Sequence, residues 1–201
     1  MSLITVGVDD GFFPHEFKEL KLRTILVGVL CVGKTPRSVK VNTVTVDGSD
    51  GTLKTREVVE ELMREVGATS INAVFLDGVT IAGFNYVNPI ELHEYLRTPV
   101  IVIFKTELKL ERIKRALVKH FSDWEVRYEV IKENYMRSQE VLTLKKRLRV
   151  ASYGLNLSEV SRLMSALQYT SASPEPLRIA DLVASELTRE TRLLEILRAH
   201  A

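Results

Sequence analysis

The sequence predicts an α/β fold built on a mixed sheet. Three strand patterns separated by turns come first, at residues 3–9, 22–33 and 38–46. Strand and helix patterns then alternate, which is typical of parallel strands joined by helices. Of the 201 residues, 45% are hydrophobic and 27% are charged, as in ordinary globular proteins. We therefore expect one domain over residues 1–201.

Turn residues and apolar runs define the first three strands, which we expect to pair antiparallel. Residues 3–9 end in Asp9-Asp10-Gly11, and a turn with Gly and Pro follows. Residues 22–33 are rich in branched apolar side chains, and Gly33-Lys34-Thr35-Pro36 supplies the next turn. Residues 38–46 alternate between the two faces of a strand.

The remaining elements follow from helical or strand periodicity. The first helix, which follows a loop over 47–52, has one apolar stripe formed by Val58, Val59, Leu62, Met63 and Val66. After it we predict a strand over 72–77, a short helix after Pro89, a strand over 98–105, a helix over 108–121, strands over 125–130 and 141–150 around a mobile stretch at 134–135, and helices over 157–167 and 177–187.

This order of elements is that of a ribonuclease H-like fold, with three antiparallel strands, then parallel strands, and flanking helices. In that topology the first strand is central and the fourth is its parallel neighbour. Asp9 and Asp77 end these two strands, so we expect their carboxylates to meet at one sheet edge. Taken singly, Asp9-Asp10-Gly11 and Asp77-Gly78 are also ordinary turn sequences.

Paired carboxylates at a sheet edge suit a hard divalent cation, Mg²⁺ or Mn²⁺. Such an ion stabilises in-line displacement at phosphorus, which indicates phosphate chemistry. The four histidines, at 15, 93, 120 and 200, are scattered and have no zinc-ligand spacing. We predict that Asp9, Asp77 and a third acid hold the metal.

Two residues compete for the role of third acid. Glu57 lies opposite the apolar stripe of its helix and should face solvent, whereas Asp50 lies at a junction between strand and helix. We therefore favour Asp50, which can also be a simple helix cap. Lys105 ends the strand after that of Asp77, where it can contact phosphate or be a solvated terminal lysine.

Charge and composition restrict the partners only weakly. The net charge of +2 is compatible with nucleic acid, and the run Lys145-Lys146-Arg147-Leu148-Arg149 suits either a phosphate backbone or a charged edge strand that blocks aggregation. No apolar stretch approaches the roughly 20 residues that cross a bilayer, so we expect a cytoplasmic protein without a membrane partner. The single cysteine, Cys31, is expected to be a buried hydrophobe.

Four segments resemble endonuclease V, and more closely its relatives called endonuclease dU. Gly7-Val8-Asp9 and Leu76-Asp77-Gly78 resemble the family's two metal-binding strands, and Phe104-Lys105-Thr106 resembles its phosphate-contacting lysine motif. The most specific match is Pro174-Glu175-Pro176-Leu177-Arg178-Ile179-Ala180-Asp181, which is very like the family's C-terminal segment. The resemblance implies a metal-dependent nuclease on a ribonuclease H-like fold.

The chain also differs from endonuclease V. Val46-Asp47-Gly48-Ser49-Asp50 stands in place of a Pro-Tyr-Ile-Pro wedge, Arg56-Glu57 matches the family's Arg-Glu pair, and Leu155 stands in place of a histidine. The resemblance nevertheless implies an endonuclease that cleaves DNA or RNA at a deaminated or modified base. The alternatives are a catalytically inactive nucleic-acid-binding or assembly module, such as a homodimer, and a phosphatase acting on a small metabolite.

Overall fold

A seven-stranded mixed sheet forms the body of the structure. The computed structural model describes residues 3–189 and 191–199. The described strands, in and outside this sheet, are β1 (Ile4–Asp10), β2 (Arg23–Val32), β3 (Thr35–Thr45), β4 (Ala73–Asp77), β5 (Thr80–Ile81), β6 (Asn85–Tyr86), β7 (Val100–Phe104), β8 (Gln139–Leu142) and β9 (Arg147–Tyr153). The sheet has the order β3-β2-β1-β4-β7-β9-β8, while β5 and β6 form a separate hairpin.

Helices cover both faces of the sheet. They are α1 (Glu16–Glu19), α2 (Gly51–Glu65), α3 (Pro89–Leu96), α4 (Leu110–His120), α5 (Trp124–Arg137), α6 (Leu157–Leu167), α7 (Glu175–Arg189) and α8 (Thr191–Ala199). A Cβ atom on Gly28 of β2 would meet Val58 of α2, whereas one on Gly7 of β1 would meet α7, on the opposite face. Among the described residues, no helix is both long and apolar enough to cross a membrane.

The strand pairing confirms the predicted ribonuclease H-like topology. β1 pairs antiparallel with β2, and β2 with β3, as the three initial strand patterns predicted. β1 also pairs parallel with β4, and β4 pairs parallel with β7. β1 is therefore central and β4 is its parallel neighbour, which brings the carboxyl ends of both strands to the same edge.

The prediction of a strand at 125–130 was wrong, because residues 124–137 form helix α5. The buried positions of α5 are Arg127, Ile131 and Asn134, one charged, one apolar and one amide side chain. These positions have helical spacing, but only one of them is apolar. The sequence therefore shows no clear hydrophobic period of 3.6 residues here. The predicted strand at 141–150 is two strands, β8 and β9, and the stretch at 134–135 is helical.

A close approach between α7 and β1 sets the position of the C-terminal helix. A Cβ atom at Gly7 would lie 2.2 Å from the backbone nitrogen of Leu177 and 2.3 Å from the carbonyl carbon of Pro176. Only glycine therefore fits at this point of β1. One end of α7 is thereby fixed on β1, and Thr188 at its other end contacts Gly11, so helix and strand run in the same direction.

We predict that Gly7→Ala lowers the free energy of unfolding by about 3 kcal/mol, because backbone atoms of α7 must move away from β1 to admit a methyl group. Urea unfolding of the variant and the wild type measures this difference. The control is Gly67→Ala, whose added Cβ meets nothing within 4 Å and whose φ of +64° costs about 1 kcal/mol for a residue with a side chain. Equal losses in both variants would contradict the proposed contact.

Candidate active site

Asp9 and Asp77 lie at the ends of adjacent parallel strands and on the same face of the sheet. Gly7 of β1 is in register with Phe75 of β4. Because side chains alternate between faces, Asp9 and Asp77, two residues further along each strand, share the face of Gly7, which α7 covers. The pairing predicted from the order of elements is therefore present in the structure.

Lys105 extends the same row of side chains to a third strand. Asp77 is in register with Ile103 of β7, so Lys105 follows two residues later on the same face. Its Nζ atom lies 2.5 Å from Oδ2 of Asp77, and the two side chains are 38% and 26% exposed. Burial lowers the pKa of Lys105, but the hydrogen bond and charge of Asp77 outweigh it and the pKa is raised.

Asp9 lies in an environment that disfavours its negative charge. Burial raises its pKa to about 8, and the charges of Asp10, Asp77 and Asp181 add to the effect. The backbone N–H of Asp10 donates a 3.0 Å hydrogen bond to Oδ1 of Asp9, which opposes the shift only in part. Negative charge therefore predominates around Asp9, and a bound cation would offset it.

Asp10 points to the opposite face of the sheet from Asp9. Burial raises its pKa to about 6, while a hydrogen bond from the backbone of Ala82 lowers it. Ala82 lies in the turn between β5 and β6, with a φ of +47°. Asp10 therefore ties the β5–β6 hairpin to the end of β1.

Asp181 is the acid that sequence reasoning missed. It lies on α7 four residues after Leu177, which advances it about 6 Å along the helix. Asp9 lies two residues after Gly7, which advances it nearly 7 Å along β1 in the same direction. Asp181 consequently acts electrostatically on Asp9, Asp10 and Lys105. Its place in the Arg178-Ile179-Ala180-Asp181 segment was the signal available in the sequence.

Asp50 lies at the start of α2 but interacts with a different set of residues. Its Oδ1 accepts from the backbone of Thr45 at 3.2 Å and from Nδ2 of Asn85 at 2.7 Å, and its Oδ2 lies 3.8 Å from Arg23. Thr45 pairs with Arg23, whereas Asp9 pairs with Val27, four residues or about 13 Å away along β2. The structure thus leaves Asp50 outside the acidic cluster formed by Asp9, Asp77 and Asp181, and its role in metal binding stays a prediction.

The side chain of Asp50 does not cap α2 either, although the residue occupies the N-cap position. The backbone N–H of Gly51 instead donates a 2.9 Å hydrogen bond to Oδ1 of Asn85, which is 34 residues later in the chain. Glu57 was expected to face solvent, yet its side chain is only 34% exposed. It accepts hydrogen bonds from Asn42 at 3.2 Å and from Lys54 at 2.8 Å, and the bond from Lys54 lowers its pKa.

The donor chemistry of the cluster fits a hard cation, but the side chains do not form a finished site. Asp9, Asp77 and Asp181 offer the carboxylate oxygens that Mg²⁺ and Mn²⁺ prefer. Within residues 3–189 and 191–199, however, no three His, Cys, Asp or Glu side chains are arranged to hold a metal. The ammonium group of Lys105 is paired with Oδ2 of Asp77 at 2.5 Å. The carboxylate oxygens are thus suitable ligands for the ion, but the side chains must rearrange to bind it.

A cavity of about 800 Å³ is lined by residues of α1, of the β5–β6 turn and of α4 and α5. Its aromatic wall consists of Phe84 and Phe121, whose rings meet edge to face at 5.8 Å. Arg127 of α5 fixes the hairpin by donating to the carbonyl oxygens of Gly48 at 2.8 Å and Phe84 at 2.7 Å. The turn of this hairpin also contacts Asp10, which follows Asp9 in β1, so one hairpin borders both the cavity and the end of β1.

Solved structures similar to this chain agree with the observed topology. A protein of unknown function from Archaeoglobus fulgidus is 25% identical, with a TM-score of 0.76 and coverage of 92% of this chain and 98% of that one. Endonuclease V of Ciona intestinalis, in complex with a 24mer DNA containing an inosine followed by a ribo-adenosine, is 10% identical. Its TM-score is 0.62, with coverage of 94% of this chain and 87% of that one. At 10% identity the second likeness supports the fold alone.

Sequence comparison gives the family. The chain is 33% identical over 186 residues to a UPF0215 protein of Methanothermobacter thermautotrophicus, with 91% of this chain and 86% of that protein covered. The family described as Endonuclease dU matches residues 2–188. This span includes Asp9, Asp77, Lys105 and Asp181. The chain therefore belongs to the endonuclease dU family.

Proposed function

We propose that this protein is a metal-dependent endonuclease that hydrolyses phosphodiester bonds in DNA or RNA at deaminated or otherwise modified bases. Membership of the endonuclease dU family suggests a nuclease. The observation that carries the proposal is that Asp9 and Asp77 end adjacent parallel strands on one face of the sheet, with Lys105 paired to Asp77 and Asp181 of α7 within electrostatic range. Acidic oxygens beside a lysine suit a reaction in which a divalent cation and a phosphate meet.

Asp9 and Asp77 are the proposed ligands of Mg²⁺ or Mn²⁺, with Asp181 as the third acid. When bound, such an ion neutralises charge at the phosphate and supplies an activated water. Because Lys105 pairs with Oδ2 of Asp77 at 2.5 Å, that oxygen must release the ammonium group before it binds a metal. The high pKa of Asp9 means that metal binding also displaces a proton near neutral pH.

Lys105 is the proposed phosphate contact. Released from Asp77, its ammonium group can bind a phosphate that lies next to the acids. Its raised pKa keeps it protonated at neutral pH, so it acts there as a fixed positive charge. Lys105 therefore exchanges one anionic partner for another when substrate and cation are both present.

The cavity beside the β5–β6 hairpin supports recognition of a displaced base. Enzymes that select a modified base turn it out of the stack and hold it against aromatic or apolar side chains. Phe84 and Phe121 offer such a wall, and the cavity of about 800 Å³ has room for a nucleobase. The cavity also contains His120 and Lys18, which can donate hydrogen bonds to a base or its phosphate.

One observation favours the alternative of a catalytically inactive nucleic-acid-binding module. The 2.5 Å ion pair between Lys105 and Asp77 neutralises Asp77 without a metal, and the described side chains include no ready-made ligand set. A module that kept the fold and bound a strand through Lys105 would need nothing further. Metal-dependent cleavage separates the two functions.

We predict that Asp77→Asn lowers the rate of strand cleavage with Mn²⁺ at least about 100-fold, because a metal ligand contributes several kcal/mol to the transition state. Asp181→Asn is expected to have a comparable effect. The measurement uses labelled single and double strands that contain uracil, inosine or only ordinary bases. Cleavage by Asp77→Asn at the wild-type rate would overturn the proposal.

The matched variant Asp50→Asn tests which residue is the third acid. Because Asp50 interacts with Thr45, Asn85 and Arg23, we expect its loss to lower thermal stability and to leave cleavage within about threefold of the wild type. Loss of cleavage in Asp50→Asn, with retention in Asp181→Asn, would instead assign the metal site to Asp50. The same assay on both variants separates the two assignments.

We predict that the metal-free protein loses stability as the pH rises from about 6.5 to about 8, with no further loss from this group above pH 8. The folded pKa of Asp9, about 8, exceeds its unfolded value near 3.8, so the folded state holds an extra proton between these values, stability falls with rising pH across that window, and the loss is complete near pH 8. The expected loss is about 1–3 kcal/mol. Urea unfolding in EDTA at several pH values measures it. Asp9→Asn should remove most of this dependence, and an identical profile in that variant would contradict the assignment.

A further inference from the structure

A basic groove of about 400 Å³ begins at Lys105 and continues along the β8–β9 hairpin. It lies outside the acidic cluster and touches it only through Lys105, whose other contact is Asp77. The residues that line the groove include Lys105, Thr106, Tyr135, Lys146, Arg147 and Arg149. One end of the groove is therefore located at the proposed cleavage site.

The wall of the groove combines a cation with an aromatic ring. The guanidinium carbon of Arg149 lies 5.1 Å from the centre of the Tyr135 ring, and that ring meets Phe104 edge to face at 5.3 Å. Arg149 also donates to Oγ of Ser138 at 3.2 Å. These contacts hold the guanidinium group in place, which lowers the entropy lost when it binds a phosphate.

Two cations of the groove have no acidic partner within the described part of the chain. Arg147 pairs with Glu140 at 3.6 Å, and Lys105 pairs with Asp77. For Lys146 and Arg149, no carboxylate lies within 4.0 Å among residues 3–189 and 191–199. Glu107 and Glu140 also line the groove, yet the four basic side chains outnumber them. The groove therefore retains positive charge next to an acidic cluster.

We infer that this groove binds the sugar-phosphate backbone of the substrate strand on one side of the cleaved bond, through Lys146 and Arg149. The inference rests on the proposed nuclease function and assigns the path of the strand from the active site. A charged edge that only prevents aggregation needs neither a concave surface nor a cation held on an aromatic ring. Positive charge with an aromatic side chain is the combination used by surfaces that bind single strands.

The neighbouring Lys145 gives a matched control. It is exposed and carries the same charge as Lys146, but it is not among the residues that line the groove. Its backbone N–H donates to Gln168 at 3.2 Å, on the side of the hairpin toward the α6–α7 connection. Arg37 on β3, at the opposite edge of the sheet, is a second and distant control.

The test measures the binding of a labelled single-stranded oligonucleotide in EDTA, where cleavage cannot proceed, as a function of salt. Lys146→Gln and Arg149→Gln should each weaken binding about fivefold at 0.1 M salt and reduce the slope of log K against log salt by about 0.7. Lys145→Gln and Arg37→Gln should stay within about twofold of the wild type with an unchanged slope. Thermal unfolding verifies that each variant is folded.

Several results would overturn the inference. Equal weakening by Lys145→Gln and Lys146→Gln would show a diffuse charge effect, and unchanged binding in Lys146→Gln and Arg149→Gln would place the strand elsewhere. Competition by polyglutamate as strong as by an oligonucleotide of equal charge would indicate a surface for acidic proteins. Each of these results leaves metal-dependent cleavage intact, whereas cleavage retained in Asp77→Asn removes the nuclease function itself.

Discussion

Electrostatic repulsion between carboxylates at the ends of two adjacent parallel strands is the constraint on which the site depends. Asp9 and Asp77 follow buried strands, and Asp181 adds a third negative charge. Such a cluster is unfavourable unless protons or cations compensate it. In this structure the high pKa of Asp9 and the ion pair between Asp77 and Lys105 provide that compensation. The proton on Asp9 and the ammonium group of Lys105 thus stabilise the cluster without a metal. In the proposed function a metal ion replaces both.

The fold creates this cluster through a contact far from it in sequence. Gly7 allows the backbone of α7 to lie directly on β1, and this contact brings Asp181 within electrostatic range of Asp9 although 172 positions separate them. The absence of a side chain at one position therefore determines where an acidic residue lies on another element. The β5–β6 hairpin is positioned in a similar way, by Asp10 on one side and Arg127 on the other.

The sequence predicted the parts of the site that depend on regular strands. Apolar runs that end in Asp9 and Asp77 identify β1 and β4, and the order of elements places them side by side. Contacts made by irregular segments were not predictable. Asp50 seemed suited to the cluster from its position before a helix, but its partner Asn85 comes from a hairpin that periodicity does not reveal. Asp181 was missed because a helical position identifies a neighbour only once the packing of the helix is known.

Diffraction from crystals soaked in Mn²⁺, recorded at the manganese absorption edge, tests the central claim most directly. We predict one anomalous peak between the carboxylates of Asp9 and Asp77, with the ammonium group of Lys105 moved away from Asp77. An empty site at saturating Mn²⁺, with Lys105 still paired to Asp77, would contradict the proposal that these acids exchange a lysine for a metal ion.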